Sequence, residues 1–253
     1  MEIKAIKTRI FRENENLLDF IFEYVKKIPK KNLENSILVV TSKIVALSEG
    51  RTVEIDLSVP HDAMREKIIK SESEYMLRTK YTWLTIKDGT VMSSAGIDES
   101  NANGKIILLP KNSFRSAELI RKNLQKKFRV KNLGILITDS RLFPLRAGIV
   151  GAAIGYAGFK GVRDYRGTPD IFGRILKLSR TDAADSLATA AVLCMGEGKE
   201  QQPLALIKNA PVIFADKIDK KELMMDPRED LYQPLFEKIK KIKNIKSKNY
   251  HKF

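Results

Sequence analysis

The chain has 253 residues, 43% of them apolar and 30% charged, and carries a net charge of +15. Its apolar residues fall in short runs broken by polar turns, which excludes a disordered composition, and its longest small-and-apolar stretch, residues 148–159, is too short to span a bilayer. A single cysteine, Cys194, excludes an intramolecular disulfide framework. The opening MEIKAIKTRIF lacks the apolar core and cleavage site of a signal peptide, so a cytoplasmic, membrane-free protein is expected.

In chain order, Ile3 to Ile6 reads as a short strand. A helix follows, with an apolar stripe at Leu17, Leu18, Ile21, Phe22 and Val25. Ile37 to Val40 is a β-branched run, expected as a buried strand that ends in Thr41-Ser42-Lys43. A helix is expected over Asp62 to Leu77. Trp83 to Ile86 and Thr90 to Ser93 flank Lys87-Asp88-Gly89, and the Asp-Gly pair predicts a hairpin. Ile106 to Leu109 is a further strand, ended by Pro110, and Ser113 to Lys127 has the spacing of an amphipathic helix with Ala117, Ile120 and Leu124 inward. Leu133 to Thr138 is an apolar strand running into Asp139.

From Gly148 to Gly167 glycine recurs every three to six residues, a spacing that lets backbone pack or turn where side chains would block it. Asp182 to Met195 is the next helix, with Gly196 as its cap. Strands at Leu204 to Ile207 and Val212 to Phe214 follow, then a last helix from about Leu231. The mixture of antiparallel hairpin and alternating elements predicts an α+β or mixed α/β fold. The organisation expected is one domain over residues 1–215 and a basic helical extension over 216–253.

Lysine dominates the positive charge and is densest at Lys238, Lys240, Lys241, Lys243, Lys246, Lys248 and Lys252, and aromatic residues are few and not interleaved with that charge as a stacking platform would require. That pattern favours a solvated surface and tail over a nucleic-acid platform. The field would still attract phosphorylated anions.

Four segments could carry chemistry. Ser94-Ala-Gly-Ile-Asp98-Glu-Ser-Asn101 sets an acid, a hydroxyl and an amide in one loop. It reads either as an ordinary turn or as oxygen ligands for Mg or Mn. Thr138-Asp139-Ser140 puts a carboxylate and a hydroxyl at the carboxyl end of a strand, where ligands bind in α/β sheets, or else caps a turn; Arg146 offers a cation nearby. Met195-Gly196-Glu197-Gly198 continues to Gln202 and reads as a plain helix cap or as a loop that approaches a nucleotide. Val39-Val-Thr-Ser42-Lys43 closes a buried strand with hydroxyls and a cation. Asp164 and Asp170, each close in sequence to an arginine, read as structural ion pairs. His61 and His251 have no nucleophile motif beside them, and Cys194 reads as core.

Taken in order, these segments resemble the coenzyme F420-0:L-glutamate (γ-glutamyl) ligase family. The resemblance rests on Ile37 to Lys43 with Ser48 to Arg51, Ala95 to Asn101, Gly134 to Ser140 and Gly148 to Gly155. It continues through Asp164 to Gly167, Asp170 to Arg174, and Ala184 to Ala188 with Met195 to Glu197, so that it spans roughly residues 1–215. It implies a mixed α/β fold, an intertwined homodimer, and a GTP-dependent enzyme with two divalent cations, Mg or Mn. Such an enzyme joins L-glutamate to the carboxylate of a phosphodiester-linked substrate through an acyl phosphate. Carried over by position, the resemblance makes Asp98 and Asp139 ligands of one ion and Ser140 and Glu197 ligands of the other. Asp98, Asp139 and Arg146 become catalytic, and Ser42, Lys43, Asn101 and Met195, Gly196, Glu197 and Gly198 become nucleotide contacts.

Three departures stand out. Thr8 to Phe11 replaces a Gly-Leu-Pro-Leu nucleotide loop, Leu47 replaces a lysine, and Arg141-Leu-Phe-Pro144 replaces Phe-Gly-Arg-Pro. They bear on the nucleotide and the acceptor, and leave open a homologue that binds nucleotide or another anion without ligase chemistry, or that acts on a different carboxylate.

Overall fold

The computed structural model describes residues 1–236. Strand β1 (Glu2–Ile6) leads to helices α1 (Leu17–Val25) and α2 (Lys30–Leu33), strand β2 (Ser36–Thr41), helix α3 (Ser42–Ser48) and strand β3 (Thr52–Glu54). Helix α4 (His61–Glu72) precedes strands β4 (Tyr75–Arg78), β5 (Trp83–Lys87), β6 (Thr90–Ser93) and β7 (Lys105–Ile107). After helix α5 (Ser113–Phe128) come the long strands β8 (Leu133–Leu142) and β9 (Ile149–Ala157) and the short β10 (Val162–Asp164) and β11 (Arg180–Asp182). Helix α6 (Ala183–Met195), strand β12 (Leu204–Lys208) and helix α7 (Gln233–Phe236) complete the described chain. The α+β class expected from the sequence is the one found. No helix among the described residues is long and apolar enough to cross a membrane.

The central sheet has the order β1-β12-β2-β8-β9, with β2 and β8 parallel and every other pair antiparallel. Its faces are covered by different helices. Leu38 and Val40 of β2 join the core with α1 and α5, whereas Ile37 and Val39 join the core with α6. A strand buried on both faces needs apolar residues at every position, which is why Ile37 to Val40 shows no alternation.

The first half of the glycine-rich segment is strand β9, which the sequence pattern did not reveal. Gly151 lies opposite Ser140 and Gly155 opposite Ile137, with a bulge between Ile137 and Thr138 where β9 carries an extra residue. A Cβ on Gly151 would stand 2.3 Å from the Ala188 carbonyl oxygen of α6, and one on Gly155 would stand 2.4 Å from the Ser113 carbonyl carbon of α5. Residues four apart normally share one face of a strand. The bulge turns these two to opposite faces, so helices crowd β9 from both sides.

Residues between β3 and β7 form a smaller lobe. The sheet β4-β5-β6 packs with α4 around Trp83, Ile69 and Ala95. Asp88 (φ 50°) and Gly89 (φ 71°) make the expected hairpin turn. The helix expected over Asp62 to Leu77 ends earlier, at Glu72. Ser73 is extended with its hydroxyl on the Ile69 carbonyl (2.6 Å), and Tyr75 to Arg78 pair with β5 instead. Val212 to Phe214 is not a strand; only a bridge between Phe159 and Phe214 forms there. Beyond Ala215, Glu222 accepts from the Tyr156 hydroxyl (2.8 Å) and the Gly161 N–H (2.6 Å), and Asp216 pairs with Arg121 (2.7 Å). The last expected helix is present within the described residues as the short α7. Lys238 to Lys252 and His251 lie outside them.

Candidate metal and phosphate site

Strands β2 and β8 run parallel, and their pairing ends with Thr41 opposite Thr138, although β8 itself continues to Leu142 beside β9 rather than ending at Thr138 as expected. The next residue of each is polar, and the two meet: the Ser42 hydroxyl donates to Asp139 Oδ1 at 2.9 Å. Alternation along β8 sends Ser140 the other way, where its hydroxyl donates to both oxygens of Glu197 (2.9 and 3.0 Å) just beyond α6.

Burial pushes the Asp139 carboxyl up to about 6, and the negative charge of Asp98 acts in the same direction; Ser42 and Arg141 oppose it. Asp98 is held differently. Burial acts to raise it, but Lys43 at 2.8 Å and the Ser100 N–H at 2.7 Å keep it below the usual carboxylate range. The Lys43 ammonium also donates to the carbonyl (2.8 Å) and hydroxyl (3.1 Å) of Ser100, so it pins the 98–101 loop to the end of β2. Asn101 reaches the other side, donating to the Gly198 carbonyl at 3.2 Å.

Asp98, Asp139 and Glu197 do not converge. No group of three or more His, Cys, Asp or Glu among the described residues stands close enough to hold one ion. The acids instead form two arrangements on either side of β8: Asp98 near Asp139, and Glu197 on Ser140. These are the pairs that the resemblance assigns to two ions. All donors are oxygen, which suits Mg or Mn, and a buried Asp139 short of solvation gains from a cation; the residues therefore fit the group.

Other expected residues fall as follows. Gly196 caps α6, its N–H on the Val192 carbonyl at 2.9 Å, and Gly198 donates to Glu200 at 2.8 Å. The Met195 side chain, at the end of α6, is buried in the core between that helix and the central sheet, which leaves only its backbone for a ligand. Cys194 is exposed rather than core. Arg146 lies exposed in the turn between β8 and β9 and touches none of the acids. The guanidinium whose charge acts on Asp139 belongs to Arg141. Arg141 was visible as a departure but not as a site residue; counting two residues on from Asp139 along a strand was the signal available. Asp164 forms the expected ion pair with Arg166 (2.6 Å), whereas Asp170 makes no ion pair among the described residues and accepts instead from the Phe172 and Arg174 backbone N–H groups (2.9 Å each), closing a turn. His61 holds Glu99 at 2.8 Å.

A model of the family described as F420-0:Gamma-glutamyl ligase matches residues 5–209. The chain belongs to this family. Curated relatives include the coenzyme F420:L-glutamate ligase of Methanococcus maripaludis strain C7, 34% identical over 92% of this chain and 97% of its own. The enzyme of the same name from Methanocaldococcus jannaschii is 30% identical over 92% of this chain and 97% of its own, and that from Archaeoglobus fulgidus 28% over 88% and 92%.

As a member of the F420-0:γ-glutamyl ligase family, the chain departs from the family pattern in three separate places, beside the loop after α6, in the core and along the end of β8. The Thr8 N–H donates to the Gln201 carbonyl (2.9 Å), so the rewritten N-terminal segment borders the loop after α6. An open cleft of about 590 Å³ is lined there by Arg9, Ile10, Arg12, Glu15 and Gln201. Arg9 is committed to Glu15 (2.7 Å) and Glu23 (3.4 Å). Leu47 packs against the apolar core.

Proposed function

We propose that this protein is a metal- and GTP-dependent amide ligase that joins L-glutamate to a carboxylate of a phosphorylated deazaflavin precursor, F420-0. The observation that carries the reading is the meeting of Ser42 and Asp139 where the pairing of β2 with β8 ends, with Lys43, Asp98, Ser140 and Glu197 around it. In the reaction, the acceptor carboxylate attacks the γ-phosphorus of GTP and displaces GDP, giving an acyl phosphate. The amine of glutamate then attacks the acyl phosphate, forming the amide and releasing phosphate. Bound divalent cations would supply neutralisation of phosphate charge, held by Asp98 with Asp139 and by Ser140 with Glu197. Lys43, Ser42, Asn101 and the backbone of residues 195–198 serve the nucleotide.

The protein acts as a cytoplasmic homodimer in this reading. The support for a dimer is the apolar tip of the β8–β9 hairpin, where Leu142, Phe143 and Leu145 are exposed by 57%, 60% and 104% and cost free energy in water. Incubation of the full chain with GTP, Mn or Mg, F420-0 and L-glutamate should give the glutamylated product. Absence of product with F420-0, together with cation-dependent nucleotide binding, would favour the second reading, a homologue that binds nucleotide or uses another carboxylate. The observation favouring that second reading is the engagement of Arg9 with Glu15 and Glu23 in the rewritten N-terminal segment.

A further inference from the structure

Arg141 and the head of α6 form a polar cluster beside the acidic pairs. Arg141 lies opposite Val150, where β9 passes under the first turns of α6. The contact is close: the Ala153 N–H donates to Asp185 Oδ1 at 2.7 Å, and the Thr189 hydroxyl donates to the Gly151 carbonyl at 2.7 Å. Asp182 caps α6 by accepting from the Asp185 N–H at 2.9 Å. The charges of Asp185, Asp139 and Asp182 all act on the Arg141 guanidinium.

Arg141 nevertheless closes on none of them. Among the described residues it makes no ion pair, and its Nε, shielded from water, has no hydrogen-bond partner. An enclosed donor left without a partner is costly, because it has given up its hydrogen bonds to water and gained none in return. A fixed cation facing carboxylates across a gap presents complementary charge to a ligand that carries both signs. Arg offers a planar fork for a carboxylate, and two neighbouring aspartates offer acceptors for an ammonium.

We infer that Arg141, Asp182 and Asp185 form the subsite for the attacking amino acid, the guanidinium taking its α-carboxylate and the aspartates its ammonium. The inference rests on the ligase reading for its place in the reaction. Loss of water around Asp182 and the like charge of Asp185 raise its carboxyl to about 7, which adds affinity for a positive group and for the proton that the ammonium must shed before attack. The field linking Arg141 to Asp139 sets the subsite next to the phosphate end of the site.

The experiment uses the full chain with Mg and a non-hydrolysable GTP analogue, titrated calorimetrically with three probes. L-glutamate carries both groups, glutarate lacks the ammonium, and 4-aminobutyrate lacks the α-carboxylate. Asp182→Asn retains the helix cap, because Asn caps as well as Asp. Arg141→Gln retains length and polarity. Wild type should bind L-glutamate at least about tenfold tighter than either analogue. Asp182→Asn should weaken L-glutamate by about tenfold and leave glutarate unchanged, and Arg141→Gln should weaken L-glutamate similarly and leave 4-aminobutyrate unchanged. Unaltered L-glutamate binding in both variants, equal loss of all three probes, or no binding to wild type overturns the subsite. Product formation from F420-0 is scored separately. A binding pattern as expected without product keeps the subsite and rejects the ligase reading. Turnover with an unchanged KM for glutamate in both variants rejects the subsite and keeps the ligase.

Discussion

Replacing Asp139 by Asn should make the metal-free protein more stable at neutral pH while removing its response to divalent cations. The Asp139 carboxyl has a folded pKa of about 6 against an ordinary 3.8, because burial disfavours its charge. For a group raised in this way, the stabilisation is fully present below the unfolded pKa and is lost as pH rises through the folded one. Between about pH 4 and pH 6 the unfolded chain gives up the proton that the folded chain keeps, and above that window the charged carboxylate is a fixed cost. A shift of about two units corresponds to about 3 kcal/mol, and the residual water access at the strand end brings this to about 2 kcal/mol. The Ser42 hydroxyl can still donate to the amide oxygen of Asn, so the local hydrogen bond survives the change. For a chain of this size the gain amounts to about 4–8 °C in melting temperature. Thermal unfolding of wild type and Asp139→Asn in chelated buffer should show this gap at pH 7.5 and close it near pH 4. Added Mn should raise the melting temperature of wild type alone. A variant less stable than wild type at pH 7.5 without metal, or a gap that does not change between the two pH values, would refute the burial argument.

Glu197→Ala removes the acceptor of the Ser140 hydroxyl and should weaken Mn binding by about tenfold or more, read by calorimetry, with no large change in melting temperature because Ser140 and Glu197 are exposed. Gly151→Ala places a methyl group 2.3 Å from the Ala188 carbonyl, and the resulting displacement of α6 should cost about 1–3 kcal/mol in urea unfolding. Leu145→Asp puts a charge at the most exposed apolar position of the β8–β9 turn; light scattering should show the mass falling from that of two chains to that of one.

The parts of the fold legible in the sequence are those whose local pattern and tertiary setting agree. Ile37 to Val40 and Leu133 to Thr138 read as buried strands because both faces of the sheet are covered, and Asp88-Gly89 reads as a tight turn because only such residues take its positive φ. Helix α5 shows its stripe at Ala117, Ile120 and Leu124 because one face meets the core. Where tertiary contacts decide, the local signal fails. Tyr75 to Leu77 continue a helical pattern, yet pairing with β5 makes them strand. Strand β9 hides behind Gly151 and Gly155, residues poor in β propensity, because two helices leave no room for a side chain there. Arg146 is the cation expected beside Asp139, yet the strand carries on past Asp139 and keeps Arg141 at the site while the turn carries Arg146 away.

The chemistry of the site depends on the register of β8. Asp139 meets Ser42 on one side of the strand, Ser140 meets Glu197 on the other, and Arg141 follows them toward the head of α6. A slip of one residue against β2 would exchange those faces, carrying Asp139 toward Glu197 and away from Ser42 and Asp98. Two features hold the register. The apolar residues of β8 alternate between the two cores, Ile135 and Ile137 with α1 and α5 and Leu136 with α6, so a slip would cost burial on both sides at once. The bulge opposite Ile137 and Thr138 then absorbs the extra residue of β9 just before the polar segment begins. The rewritten residues Thr8 to Phe11, Leu47 and Arg141 to Pro144 all lie outside the pairing of β2 with β8, at a cleft, in the core near α3, and from the far end of β8 to the hairpin tip. Substitution there can retune what the protein binds while the placement of Asp139 and Ser140 stays fixed.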